Sequence, residues 1–291
     1  MPTSENIVVT GASGQLGRLV IAELLRMAPA THVIGIVRNA AAAQDLADGG
    51  VEVRTADYDD PASLARAIVG ADKLLLVSSS EIGPRRVAQH RNVVDAARAA
   101  GVQLLVYTSM LHADTNPMRL AVWHRETEEV IRDSGVPFVL LRNGWYTENY
   151  TANAVTAVAS GVLLGAAGEG RISSAARSDF AAAAAVVLTS DANQAGKIYD
   201  LAGDTSYTLA ELAAEIDKQS GNPVAHNDLS EAAYKAALEA TGLAETLAEI
   251  YAESDAKAAH GSLFDESGQL GRLIGRPTIT MAQSVAAVLG R

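Results

Sequence analysis

Three glycines, Gly11, Gly14 and Gly17, stand in the string Val9-Thr10-Gly11-Ala12-Ser13-Gly14-Gln15-Leu16-Gly17. The string follows a short apolar run, Ile7 to Val9, and opens an amphipathic stretch, Arg18 to Met27. Strand, glycine turn, helix is the context in which a dinucleotide's pyrophosphate is bound. Gly11 permits a tight turn out of the strand. Gly14 removes a Cβ where backbone must approach phosphate, and Gly17 lets the helix pack closely on the sheet. The turn from Gly11 through Ala12, Ser13, Gly14, Gln15 and Leu16 to Gly17 then presents helix N-terminal N–H groups to an anion. The second run, His32 to Val37, is followed by Arg38. An acidic residue at that place accepts from a ribose 2′-OH, whereas a guanidinium suits a 2′-phosphate. Arg38 therefore argues for NADP(H) over NAD(H).

Other candidates also stand where apolar runs end. Ser78, Ser79 and Ser80 are expected to line a wall near the nicotinamide ribose, or are simply a polar exit from a strand. Thr108 and Ser109 end another run. The segment Arg142-Asn143-Gly144-Trp145-Tyr146-Thr147-Glu148-Asn149 leaves the next one. There Asn143 and Gly144 can bring backbone close to a nicotinamide. Trp145 or Tyr146 can wall a flat ring, or else pack between domains. His124 can donate a proton or orient a ring, or be a plain polar helix residue. The other histidines, at 32, 90, 112, 226 and 260, show no metal-ligand spacing, so no metal is expected.

Composition narrows the class. The chain has 291 residues, 48% hydrophobic and 20% charged, which is ordinary for a globular protein with a sizeable core. Its net charge of −11 disfavours nucleic acid and anionic membranes. With no cysteine, disulfides, thiolate catalysis and zinc–sulfur sites are excluded, and the cytoplasm is expected. Met1 to Glu5 is polar and reads as no secretory signal. Residues 151–168 carry no charge, but polar residues and glycines interrupt them, so no membrane span is read there.

The elements that must position these residues alternate strand and helix. Strands are predicted at Ile7–Thr10, His32–Val37, Val51–Thr55, Lys73–Ser78, Leu104–Thr108 and Phe138–Arg142. Helices are predicted at Leu16–Met27, Ala40–Ala47, Pro61–Ile68, Pro84–Ala100 and Met118–Ser134. Such alternation gives right-handed βαβ units: an α/β, Rossmann-type doubly wound parallel sheet. Residues 1–150 are expected to form the NADP-binding domain. A smaller, mostly helical C-terminal substrate lobe takes 151–291, with a late strand at about 198–202 rejoining the sheet. Asn143 to about Arg177 reads as irregular, and Ala181–Ala185 as buried helix. Helices follow at Thr208–Gln219, Ser230–Thr241 and Leu243–Ala259.

Taken together, the chain resembles the NmrA-like branch of atypical short-chain dehydrogenase/reductases, and within it the NADPH-dependent quinone reductases. The resemblance runs nearly end to end. It rests on TGASGQLG (10–17), IVRN (36–39), ADYDD (56–60), KLLLVSSSEIG (73–83), QHRNVVDAA (89–97), YTSMLHADT (107–115), LLRNGWYTENY (140–150) and LFDESGQLGRLIGRPT (263–278). It implies NADPH binding by Gly11, Gly14, Gln15, Leu16, Gly17 and Arg38, and a nicotinamide-side wall of Arg142, Asn143, Gly144, Trp145 and Tyr146. It also implies quinone reduction without flavin or metal. Asp57 occupies the family's adenine-contacting position, or caps a loop. Arg171 and Arg177 can reach the cofactor phosphates or bridge the lobes.

The family's usual Ser, Tyr and Lys are incomplete. Ser109 fits the serine position, but His124 and Glu128 stand at the tyrosine–lysine spacing, and no lysine occurs between Lys73 and Lys197. Hydride addition to a simple ketone leaves a strongly basic alkoxide that needs a proton donor. Addition to a quinone leaves a weakly basic phenolate-type anion that solvent can protonate afterwards. The expected function is thus NADPH-dependent reduction of a small quinone. A non-catalytic NADP(H)-sensing regulator acting through a protein partner is the alternative, and an isomerase or imine reductase is a third. A homodimer is compatible with the chain, although no helical stripe reads as an interface.

Overall fold

The computed structural model describes residues 5–291, so most of the polar lead-in Met1 to Glu5 lies outside the described residues. In chain order the elements begin β1 (Asn6–Val9), α1 (Gln15–Met27), β2 (His32–Val37), a 3-10 turn (Ala40–Ala43), α2 (Gln44–Asp48), β3 (Glu52–Thr55) and α3 (Pro61–Ala67). Then follow β4 (Lys73–Leu76), α4 (Pro84–Ala99), β5 (Leu104–Met110), α5 (Arg119–Asp133), β6 (Phe138–Asn143), α6 (Glu148–Thr151), α7 (Ala154–Ser160), β7 (Val162–Gly165) and α8 (Arg177–Thr189). The chain ends with β8 (Ile198–Leu201), α9 (Leu209–Ser220), β9 (Ala225–Asp228), α10 (Glu231–Ala240), α11 (Glu245–Ala258), α12 (Gln269–Ile274) and α13 (Met281–Leu289).

The chain forms two compact units that interleave in sequence. The first comprises the described residues through Ala113, Trp123–Asn143 and Phe180–Asp200; the second comprises Asp114–Val122, Gly144–Asp179 and Leu201–Arg291. The sheet has seven strands in the order β3-β2-β1-β4-β5-β6-β8. The neighbours from β3 through β6 run parallel, with Val8 opposite both Ile34 and Leu74. This is the Rossmann-type arrangement, and the strand order reverses between β1 and β4, where such sheets bind ligands.

Burial on both faces explains the continuous apolar strands. One core face collects Val8, Ile34, Ile36, Leu74, Leu76, Leu105, Tyr107 and Leu140 against Leu64, Val93, Val94 and Ile131 of the covering helices. Local signals set the helix ends. The Asp60 side chain accepts from Ala62 N and Ser63 N ahead of α3, whose first residue is Pro61. Gly101 and Gly135, at φ 71° and 75°, end α4 and α5.

The second unit is less regular. Its β7 and β9 form a two-stranded parallel sheet, and α9 starts with a Thr208–Glu211 capping box. The segment Asn143 to Arg177, read from sequence as irregular, contains α6, α7 and β7. These elements are short, and their pairing partner β9 lies about sixty residues on, so no local period marks them. The Ala40–Ala47 helix is also split. Asn39 accepts from Ala41 N and winds the first four residues as a 3-10 turn. No helix of the described residues is long and apolar enough to cross a membrane.

Candidate active site

A cavity of about 230 Å³ opens at the strand-order reversal in the first unit. It gathers Gly11, Ser13, Gly14, Arg38, Asp57, Ser78, Ser79 and Ser80, all singled out in the sequence, together with Tyr58, Glu81 and Gln89. Gly11 sits at φ 58°, a conformation that favours glycine. A Cβ on Gly17 would lie 2.4 Å from the Gly11 carbonyl oxygen, and one on Gly14 would lie 3.2 Å from it. The turn closes on itself through Gly14 N, which donates to Gly11 O at 2.9 Å, and is tied to β2 by Ala12 N donating to Ile36 O at 3.1 Å. Gly14, the N-cap of α1, offers no side-chain acceptor, and the first turn carries no acid. The N–H groups of that turn are left for an anion. Gln15, Leu16 and Gly17 belong to the turn but do not line the cavity.

Two arginines near this turn behave differently. Arg18 is committed: it donates to the carbonyls of Ser13 and Ala42 at 3.0 and 2.7 Å and pairs with Asp45. Arg38 is exposed, lines the cavity and has no ion pair among the described residues. Asp57 faces the cavity and also accepts from Asp59 N at 2.9 Å, so it serves the loop whatever else it holds. Tyr58, beside Asp57 after the third strand, faces the cavity as well. Its hydroxyl lies 2.5 Å from Thr10 Oγ1 and 2.8 Å from the Val77 carbonyl, joining the ends of β1 and β4 beneath the cavity.

The serine wall is built from behind. Ser78 N donates to Thr108 Oγ1 at 2.8 Å, and Ser79 N donates to His90 Nε2 at 2.8 Å. Ser79 Oγ donates to Gln89 Oε1 at 2.5 Å and accepts from Glu81 N at 3.1 Å. Arg86 reaches the Glu81 carbonyl at 3.1 Å. Arg86, Gln89 and His90 have the spacing of one helix face, which is the signal that could have revealed them.

Deeper in the first unit the polar groups pair with one another. Ser109 Oγ donates to Glu128 Oε1 at 2.6 Å. Arg142 forms a two-pronged pair with Glu128, both contacts at 2.9 Å, and these residues are 5% and 1% exposed. Arg132 reaches the same carboxylate at 3.2 Å. His124, 4% exposed, lies between Arg86 Nη2 at 2.9 Å and the Tyr107 hydroxyl at 2.8 Å. A guanidinium only donates, so Nε2 accepts and Nδ1 carries the proton. Burial, then the charge of Arg86, holds the His124 pKa well below its ordinary value. None of Thr108, Ser109, His124 and Arg142 lines the cavity.

Asn143 ends β6 with its Oδ1 buried and without a hydrogen-bond partner. Gly144, Trp145 and Tyr146 belong to the second unit. A Cβ on Gly144 would come within 3.0 Å of the Leu201 carbonyl oxygen. The indole of Trp145 meets Tyr251 edge to face at 5.8 Å, and its Nε1 is also buried without a partner. Arg177 lies over the Tyr146 ring at 4.7 Å and donates to Asn149 Oδ1 at 3.0 Å. Arg171 turns to Ser206 at 2.8 Å and to Glu211 at 3.6 Å. Both arginines therefore have partners within the second unit.

Residues 11–191 match the family described as NAD(P)H-binding. The chain is 55% identical to quinone oxidoreductase 2 of Escherichia coli over 280 residues, 96% of this chain and 97% of the relative. It superposes with a TM-score of 0.93 on the NADPH complex of an E. coli NADPH-dependent quinone oxidoreductase, at 54% identity, covering 97% of this chain and 99% of that one. The NADP(H) complex of the Citrobacter triphenylmethane reductase gives 0.92 at 38% identity, covering 97% and 99%.

Proposed function

From the premise that the chain belongs to the NAD(P)H-binding family, we propose that it is an NADPH-dependent quinone oxidoreductase that works by direct hydride transfer, without flavin or metal. The observation that carries the proposal is the cavity at the strand-order reversal, with its open glycine turn and the Arg38 guanidinium, which has no ion pair among the described residues. The residues fit the cofactor. Gly11 to Gly17 would hold the pyrophosphate on first-turn N–H groups, and Arg38 the 2′-phosphate. Asp57 would face the adenine, and Ser78, Ser79 and Ser80 the nicotinamide ribose. Asn143, Gly144, Trp145 and Tyr146 would wall the nicotinamide and the acceptor, with Asn143 and Tyr146 touching the reacting rings. When bound, NADPH supplies the hydride.

The acid–base groups support a quinone as acceptor. The hydroxyl proton of Ser109 goes to Glu128, and His124 is a neutral ring with both nitrogens engaged. With the protons of Ser109 and His124 committed elsewhere, the site suits an acceptor whose reduced anion is a weak base. The protein then contributes position and exclusion of water. We propose the cytoplasm as its setting and a homodimer as its assembly, which sedimentation would test. The regulator reading is weaker, because the 55% identical relative is an oxidoreductase.

The test is NADPH oxidation on mixing the protein with benzoquinone, with NADH in parallel, no flavin added and the uncatalysed rate subtracted. Turnover favouring NADPH is expected. Tight NADPH binding without turnover across a quinone panel would overturn the enzyme reading in favour of the regulator.

A further inference from the structure

We propose that His124 and His90 are positioning residues, two buried struts that hold the serine wall of the cofactor cavity in place, and that neither ring carries a proton to the acceptor. The inference rests on the cavity being the cofactor site. It starts from the helix that stands where short-chain dehydrogenases keep their acid–base pair. In this chain that helix points His124 and Thr127 at α4, and Glu128 at Ser109 and Arg142 on the neighbouring strands.

The first strut runs from His124 on α5 to Arg86 on α4, at 2.9 Å, and from Arg86 to the Glu81 carbonyl, at 3.1 Å. The second runs from Thr127, one turn along α5, to His90 Nδ1 at 2.9 Å, and from His90 Nε2 to Ser79 N at 2.8 Å. Ser79 and Glu81 both line the cavity. Each strut thus ends on the main chain of the wall, and its far end is anchored in a buried helix face.

The protons in both struts are fixed by what each partner can do. The Ser79 N–H can only donate, so His90 Nε2 accepts and Nδ1–H donates to Thr127 Oγ1. Thr127 sends its own proton to the Trp123 carbonyl at 2.8 Å. Arg86 can only donate, so His124 Nε2 accepts and Nδ1–H faces the Tyr107 oxygen at 2.8 Å. The Tyr107 ring packs between the imidazoles, with centroids 5.4 Å from His90 and 5.8 Å from His124. Both rings are therefore locked in the Nδ1–H form. A second proton on either would set N–H against N–H, and neither ring has a nitrogen left for a substrate.

The experiment compares His124→Leu with His124→Gln, and Thr127→Val with Thr127→Ser, in the full-length protein. Glutamine can accept from Arg86 and donate to Tyr107, and serine keeps the acceptor for His90. Hydrogen exchange of the 78–81 segment is measured first, without cofactor. Loss of protection is expected in the leucine and valine variants and its retention in the glutamine and serine variants. Steady-state kinetics follow. The leucine and valine variants should raise KM for NADPH and for NADH alike by about tenfold, the scale of a lost buried hydrogen bond, with a smaller change in kcat. The conservative variants should stay within about twofold of the parent. Unchanged exchange in both disruptive variants would overturn the strut proposal, whether or not the protein binds NADPH. So would a His124→Gln protein whose kcat collapses while its KM holds, which is the signature of a lost proton donor. Failure of the parent to bind NADPH, with the exchange pattern intact, would overturn the assigned function and leave the struts standing.

Discussion

The rim of the cavity and the interior behind it handle polar groups in opposite ways. At the rim, Arg38 has no ion pair among the described residues, and the first turn of α1 has no side-chain cap. Behind it, Ser109, Glu128 and Arg142 satisfy one another at 2.6 to 2.9 Å, and both imidazoles of the struts are engaged at each nitrogen. Uncommitted donors stand where a phosphate-rich ligand would add its own acceptors. Committed ones stand where a family of similar fold keeps its proton donors. The difference teaches that affinity and chemistry are separated here. On the proposed reading, the rim binds, the interior holds shape, and the reducing equivalent comes from the ligand.

Breaking the interior pair should have the largest effect. Glu128→Gln removes the carboxylate that meets the buried Arg142 guanidinium at 2.9 Å and leaves it Asp200 at 3.8 Å, a change expected to cost about 3 kcal/mol of stability, read as a fall in thermal midpoint. A midpoint equal to the parent's would show that the interior does not depend on the pair. Gly17→Ala attacks the rim. Its Cβ would fall 2.4 Å from Gly11 O and 2.9 Å from Ala12 Cα, both main chain, so the turn must shift. NADPH affinity should drop by about a hundredfold, equivalent to about 3 kcal/mol, and calorimetric titration would show it. Arg38→Ala should weaken NADPH by about thirtyfold, with NADH changed by less than about twofold. Equal losses for both cofactors would remove the 2′-phosphate from the guanidinium.

The second unit supplies a contrasting carboxylate. Asp255 is 2% exposed and accepts from the Tyr150 hydroxyl at 2.7 Å and from Ala166 N at 3.1 Å, with no cation paired to it among the described residues. Burial pushes its carboxyl from 3.8 up to about 6. The folded state thus holds this proton more tightly than the unfolded chain does. Its contribution to stability falls as pH rises from about 4 to about 6 and levels off above that. Asp255→Asn should flatten this decline in the stability–pH curve, the smallest of these effects. An unchanged slope would assign the titration to another group.

Much of this contrast was legible in the sequence, for identifiable reasons. The glycine turn, Arg38 and the strands beside them follow local rules, so their places could be read from spacing and apolar runs. His32–Val37 was read to the residue, and the βαβ order followed from alternation. The pairs of the interior were not legible. Glu128 and Arg142 lie on a helix and a neighbouring strand, and nothing local says that they face each other. The same holds for His90 and Ser79, which meet because α4 packs under the loop that leaves β4. The strand β9 is AHND, without an apolar period, and exists through its pairing with β7. The spacing of His124 and Glu128 was visible, but their inward direction was not, and that direction is what separates a proton donor from a strut.

The most direct measurement is the single-turnover rate of NADPH oxidation by benzoquinone across about pH 6 to 8.5, in light and heavy water, with the background subtracted. A site in which His124 gives no proton should give one rate throughout, because both its ring nitrogens are engaged and burial and Arg86 hold its pKa well below the ordinary value. A rate that titrates with a single group and slows in heavy water would contradict the account and return a proton donor to the protein.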